Sequence, residues 1–357
     1  MLHQELQRLD ITDDIKHNYS RNILNGDLDS VLVVLFASTE RIEILRVAST
    51  KLRLKGLLDV FDPDVAGLYF NLKHLNLSFV SEGPELEFFE IGDIMHLFFL
   101  PFLEHLGVTH CIGEPSHLSG LELSLGKINL SSISLVDSCM DKDTLESILN
   151  ASRYVKSFKY TACPLLNEEL ESVPVNGDDI MQALQFHKNN LEILHIELDD
   201  IDLEIDDQNR HTKLDHFASF SNLQHLHTEQ SCLSTSPKLP ESLKELILEN
   251  CDEPIFELVV FLVKERKTRL KRLGVVYIQP LWSPCTSVLD IFPQFNKKEL
   301  YDNEVYRERF KDSVEELVSI ALDGVGLLLF IACECYQECV RMLNREMGLF
   351  REDEESS

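Results

Sequence analysis

A chain of 357 residues carrying 33 Lys and Arg against 61 Asp and Glu has a formal charge of −28. That balance excludes the basic surface on which duplex nucleic acid or an anionic membrane is held. The longest apolar runs, 94–103 and 325–333, fall short of the roughly 20 residues that cross a bilayer.

Residues 1–14 are charged and contain no continuous apolar run, so no secretory signal is expected there. Nine cysteines without an export signal are then most simply reduced thiols of an intracellular protein, cytoplasmic or nuclear. In that setting the Asn-x-Ser/Thr sequons at Asn18, Asn76, Asn129 and Asn150 carry no meaning. The acidity favours solubility and would draw in a basic partner over long range.

Residues 1–41 are read as an N-terminal helical cap, with a helix-compatible run at 29–37. From there a pattern recurs: an apolar residue, two variable ones, an apolar residue, one variable, an apolar residue. It occurs at Ile42/Leu45/Val47, Leu72/Leu75/Leu77, Leu103/Leu106/Val108, Leu130/Ile133/Leu135 and Val155/Phe158/Tyr160. It returns at Leu191/Leu194/Ile196, Leu223/Leu226/Thr228, Leu243/Leu246/Leu248 and Leu270/Leu273/Val275. Successive units are 20 to 36 residues apart and average 28.5, at the upper end of the leucine-rich-repeat range.

The physics behind the pattern is simple. Two apolar residues one position apart point to the same face of a short strand. The first apolar residue turns inward at the bend before it. Strands of successive units then stack in parallel, each covering its neighbour's apolar edge. The expected fold is an α/β leucine-rich-repeat solenoid: a curved parallel sheet, helices on the convex side, and a helical cap at each end. Domain boundaries are set at 1–41 for the N-terminal cap, 42–290 for the repeats and 291–357 for the C-terminal cap with its acidic tail.

Return segments are predicted as helices at 142–152 after Asp141, 178–188 after Gly177, and 255–267 after Pro254. Three residues beyond the last strand apolar residue, this repeat class places a buried Asn or Cys that bonds the turn backbone. Cys111, Cys163 and Cys251 stand there, with Thr50, Ser138 and Ser231 in other units. These cysteines are expected to be structural. The acidic run 197–207 lacks the glycine and terminal Glu of a calcium loop and is read as solvated. Beyond the repeats, 279–296 contains Pro280, Pro284 and Pro293 and reads as a loop. Helices are expected at 303–322 and 335–349, a strand or buried helix segment at 327–332, and a disordered acidic tail at 351–357. Cys333, Cys335 and Cys339 lack finger spacing and are assigned to packing.

The positions that alternate with the strand apolar residues should line the concave face. There His74, His105, His195, His225 and His227 recur, with Glu197, Glu229 and Glu249 beside them and His110 at the edge. Parallel stacking would set His195 beside His227 and align the three glutamates. One reading is a partner-contact patch. Another is a metal or pH-sensitive site, with His195, His225 and His227 as candidate ligands. The plainest is an exposed polar surface that uses histidine as a half-apolar residue. No cofactor is expected. No GxGxxG, P-loop, HExxH or GxSxG motif occurs, so no enzyme is expected.

Three stretches carry a resemblance. They are Asn25–Phe36 (NGDLDSVLVVLF), Asp178–Ile196 (DDIMQALQFHKNNLEILHI) and Phe217–Glu249, which includes LPESLKEL. With the repeats, they make residues 20–280 resemble the repeat region of the fungal F-box/leucine-rich-repeat-like proteins. The resemblance implies a scaffold whose concave face selects a protein. In complete members, an N-terminal F-box docks the Skp adaptor of a cullin ubiquitin ligase. No LPxEIL-type segment is found near the start here, so the chain is expected either to lack the box or to be a shortened form. The expected function is non-catalytic protein recognition, as a substrate-binding or scaffold module.

Overall fold

The structure, a computed structural model, describes residues 2–8, 13–25, 30–31, 34, 42–49, 71–79, 88–118, 124–163, 173–198, 214, 217–251, 255–280 and 328–331. The expected helices at 303–322 and 335–349, Cys333, Cys335, Cys339, Thr50 and the acidic tail lie outside these residues. So do most of the expected loop at 279–296, of the run at 29–37 and of the acidic run 197–207.

The chain is α/β, and its paired strands run parallel. It divides into two compact regions: residues 1–191 with 195–206, and residues 192–194 with 207–357. The division falls around the sixth repeat.

In the first region, α1 (Leu2–Arg8) and α2 (Asp13–Leu24) precede the repeats. Asp13 and Asp14 open α2, where the helix dipole favours negative charge. The repeat strands are β1 (Ile44–Ser49), β2 (His74–Phe79), β4 (His105–Thr109), β6 (Ser132–Met140) and β7 (Ser157–Ala162). They pair in the order β1-β2-β4-β6-β7. Register sets Leu45, Leu75, Leu106, Ile133 and Phe158 in one row, and Val47, Leu77, Val108, Leu135 and Tyr160 in the next. All but Val47 are buried. Leu72, Leu103, Leu130 and Val155, the first residues of their units, are buried as well. A short second layer, β3 (Phe89–Glu90) and β5 (Cys111–Gly113), pairs in parallel with the end of β6.

In the second region, β9 (His225–Glu229), β10 (Glu245–Cys251), β11 (Val275–Pro280) and β12 (Leu328–Ile331) pair in that order. Leu226, Leu246 and Val276 form one buried row; Thr228, Leu248 and Ile278 form the next. β11 carries the strand through Gln279 to Pro280, two residues into the stretch read as a loop. β12 resolves the ambiguous 327–332 run as a strand. β8 (Ile193–Glu197) lies where the regions divide.

Each of the nine units thus carries a strand where the period placed one. The chain enters the left-handed region just past β4 at His110 and within β6 and β10 at Asp137 and Asn250, with φ of 58°, 46° and 50°. Such a residue reverses the chain direction locally and suits Asn, Asp and His better than branched residues. It delivers the next side chain, Cys111, Ser138 or Cys251, into the interior; all three are fully buried. Ser138 Oγ accepts from the Cys111 N–H and donates to the Val136 carbonyl, while the Cys251 thiol donates to the Leu248 carbonyl. Ser231 departs from the expectation. It is exposed, and Cys232 is buried in its place, because a 3-10 turn (Gln230–Cys232) starts directly after β9.

The three predicted return helices form. They are preceded by the one-turn α3 (Ile91–Ile94). α4 (Lys142–Ala151) starts at Asp141, whose carboxylate accepts from the Thr144 N–H at 2.7 Å, satisfying one orphan donor of the first turn. α5 (Gly177–Ala183) has a capping box, Asn176 with Asp179, and tightens into a 3-10 turn at Leu184–His187. α6 (Ile255–Thr268) ends on Arg266 and Lys267, complementing its dipole. Other returns are single 3-10 turns, such as Met95–Phe99 and Phe217–Ser219. No helix among the described residues is long and apolar enough to cross a membrane.

Candidate interaction surface

Alternation along each repeat strand sends one set of side chains into the core and the other to the open face of the sheet. In the first region that face begins with a row formed by Ile44, His74, His105, Ser132 and Ser157. The rings of His74 and His105 stack at 4.1 Å between centroids and 8° between planes. Burial, helped by the charge His74 can carry, holds the His105 pKa below its ordinary 6.5 against the raising effect of Glu104. His110 lies at the strand end, 3.9 Å from Asp137.

The next row is Arg46, Asn76, Gly107, Ser134 and Lys159. It is rich in donors and small at its centre. The Asn76 side chain lies across Gly107, in the space that a Cβ would take, so a larger residue there would displace the amide. A hollow of about 420 Å³ opens here, lined by Arg46, Ala48, Asn76, Gly107, Thr109 and Ser134 among others. A second hollow, about 650 Å³, lies at the start of the strands near Lys73, Phe102, Asn129, Tyr154 and Lys156.

His195 and Glu197, two residues apart on β8, both belong to the first region and bond one another directly. Their side chains are half-buried.

In the second region, the open face of β9 and β10 consists of His–Glu pairs. His225 Nδ1 meets Glu245 at 2.7 Å, and His227 Nε2 meets Glu249 at 2.6 Å. Each pair joins adjacent strands, because register sets His225 opposite Glu245 and Glu229 opposite Glu249. Tyr277 stands beside Ile247 on β11. Glu229 is not offered to solvent. It is only 3% exposed, and its carboxylate accepts from Asn250 Nδ2 at 2.9 Å and from the Cys232 thiol at 3.7 Å. It shares a strand face with His225 and His227, but the chain turns immediately after it and closes over it.

Sequence reasoning on histidines alone passes over Arg46, Asn76, Ser134 and Lys159. They occupy the same alternating positions and were open to the same rule. It also passes over His187, a buried histidine. His187 Nδ1 accepts from the Val155 N–H at 3.2 Å, and Nε2 lies 2.9 Å from the Leu149 carbonyl. A ring that accepts at one nitrogen and donates at the other is neutral. Burial keeps its pKa low, against the opposing pull of the Leu149 carbonyl.

The described cysteines are all free and buried. Burial, followed by the neighbouring Cys163 and Glu114, pushes the Cys139 thiol up to about 12. Burial and Glu229 push Cys232 up to about 12, and burial raises Cys111 further. Such thiols stay protonated and are poor nucleophiles, as expected of structural residues. No protein-family model matches the chain, and no curated protein matches it.

Proposed function

We propose that this chain is a leucine-rich-repeat scaffold that recognises another protein with the open faces of its strands and carries no catalytic group of its own. The observation that supports it is the register. Eight of the repeat strands are in direct register within their regions, and alternate side chains there form rows that are mostly polar and at least partly exposed, apart from the core. Side chains on a rigid sheet are already ordered, so little conformational entropy is lost on binding. His74, His105, His195, Glu197, His225, His227 and Glu249 are the contact residues of this reading, and Glu229 supports Asn250 from below. The resemblance to F-box/leucine-rich-repeat-like proteins extends the proposal to selection of a ubiquitin-ligase substrate, with an intracellular, cytoplasmic or nuclear, location.

An affinity pull-down of the chain from its native cells, read by mass spectrometry, tests this. Recovery of a Skp adaptor and a cullin supports the ligase role. Reproducible partners without them support a free-standing scaffold. Absence of any partner that survives washing refutes recognition.

A second reading, binding of a metal or small ligand by the His/Glu patch, draws on the short His227–Glu249 contact. It predicts that zinc raises the melting temperature and that His225→Ala/His227→Ala removes the shift. An unchanged melting temperature with zinc would refute it.

A further inference from the structure

We propose that the open face of the first region is a docking groove for an acidic peptide segment of a partner protein, held between Arg46 and Lys159. The inference rests on the recognition reading and names its chemistry. In a chain with 61 acidic residues, none of the alternate open-face positions from Ile44 on β1 to Lys159 on β7 is Asp or Glu. Two are cations, Arg46 and Lys159. Around β1 to β7 the carboxylates stand at the rims, where Glu43 is engaged with Lys73 at 3.3 Å and Asp137 with His110; the open-face carboxylate on β8, Glu197, is bonded to His195.

The row between the cations is built of donors over a low floor. Arg46, Asn76, Gly107, Ser134 and Lys159 are consecutive register partners. At ~4.8 Å per strand the row spans roughly 19 Å, which about six extended residues would cross. Asn76 folds over the bare Gly107, and the hollow of about 420 Å³ leaves room there for a peptide backbone. A guanidinium at one end, an ammonium at the other and amide and hydroxyl groups between them match alternating carboxylates and main-chain carbonyls. The second region offers the opposite chemistry, since Glu245 and Glu249 occupy its open face.

The test uses the full chain and a fluorescein-labelled peptide of about eight residues alternating Glu and Ser, with a Lys/Ser peptide as its counterpart. Fluorescence anisotropy should show binding of the Glu peptide only, weakening as salt is raised from about 0.1 M to about 1 M. R46E/K159E should lose about tenfold or more in affinity, while K188E/K238E, with the same change in net charge, should not. S134F fills the hollow without altering charge and should also weaken binding; its melting curve and that of R46E/K159E check the fold. The groove is overturned if the Glu peptide does not bind at low salt, if R46E/K159E or S134F binds as well as the parent, or if a single-stranded oligonucleotide displaces the peptide at lower concentration than the unlabelled peptide does. Repeating the cellular pull-down with R46E/K159E separates the two proposals. Partners that are all retained overturn the groove and leave recognition standing, whereas selective loss supports both.

Discussion

The two regions have interiors built alike and differ in what they show. In the first, Leu75, Leu106, Ile133 and Phe158 form the same buried row that Leu226, Leu246 and Val276 form in the second. On the open faces the likeness ends. Across β1 to β7 the first presents stacked imidazoles, hydroxyls, an amide and two cations, with its one His–Glu pair, His195–Glu197, confined to β8. The second presents histidines already bonded to glutamates of the next strand. The core positions are dictated by burial, which rejects polar residues at several kcal/mol each. The alternate positions answer to solvent or to a partner, and there the sequence is free to diverge. Likeness inside and difference outside is the pattern expected when a repeat is kept for its fold and varied for its contacts.

If the interiors are equivalent, breaking either should cost alike. Phe158→Ala and Leu246→Ala should each lose about 2–5 kcal/mol in chemical denaturation. A loss below about 1 kcal/mol at either site would mean that its row is not a true core.

The turns come next. Ser138→Ala removes the acceptor of the buried Cys111 N–H and should cost about 1–3 kcal/mol. Asp141→Ala removes the cap of α4 and should cost about 1 kcal/mol. Asp141→Asn, which keeps an acceptor, should recover most of that loss.

Acid should separate the regions, because the first holds both His187 and His105 with lowered pKa values. Above the ordinary 6.5 both folded and unfolded chains are neutral at these sites, and their full contribution is present. As pH falls through 6.5, the unfolded chain takes up protons that the folded chain refuses. Stability therefore declines down to the lower folded pKa. His187→Gln can still accept from Val155 and donate to Leu149, yet does not titrate. It should flatten that slope when denaturation midpoints are compared at neutral and acidic pH; an unchanged slope would clear His187 of the effect.

The smallest effect is expected on the open face of the second region. His225 and Glu245 are substantially exposed, so Glu245→Gln should alter stability by less than about 1 kcal/mol. A larger loss would mark the pair as structural and not as a contact surface.

Much of this was legible in the chain itself. The period alone located nine strands, since every third or second apolar residue had to find the same interior. Helical patterning placed three helices after Asp141, Gly177 and Pro254, while the Asn176–Asp179 capping box shows only in the structure. What stayed hidden depends on tertiary placement. Phe89–Glu90 and Cys111–Gly113 are too short to show alternation, so the second layer is invisible until β6 is seen to run on to Met140. Glu229 follows the open-face rule and is buried anyway, because a 3-10 turn follows it where β6 and β10 instead pass through a left-handed residue and run on. The same substitution moves the buried thiol from position 231 to Cys232. His187 reads as one more residue of a helix end, and only its two backbone partners, from segments more than 30 residues away in sequence, explain its burial.

The buried thiols have a practical consequence. Cys111, Cys139 and Cys163 lie in the first region, and Cys232 and Cys251 in the second. All five are buried, at 0 to 8% exposure, so each is shielded from an alkylating reagent until its own repeat opens. Timed labelling followed by peptide mass mapping would therefore read out how often each repeat opens, at five addresses along the chain, with no probe added. The same residues that seal the turns make the protein a recorder of its own local unfolding.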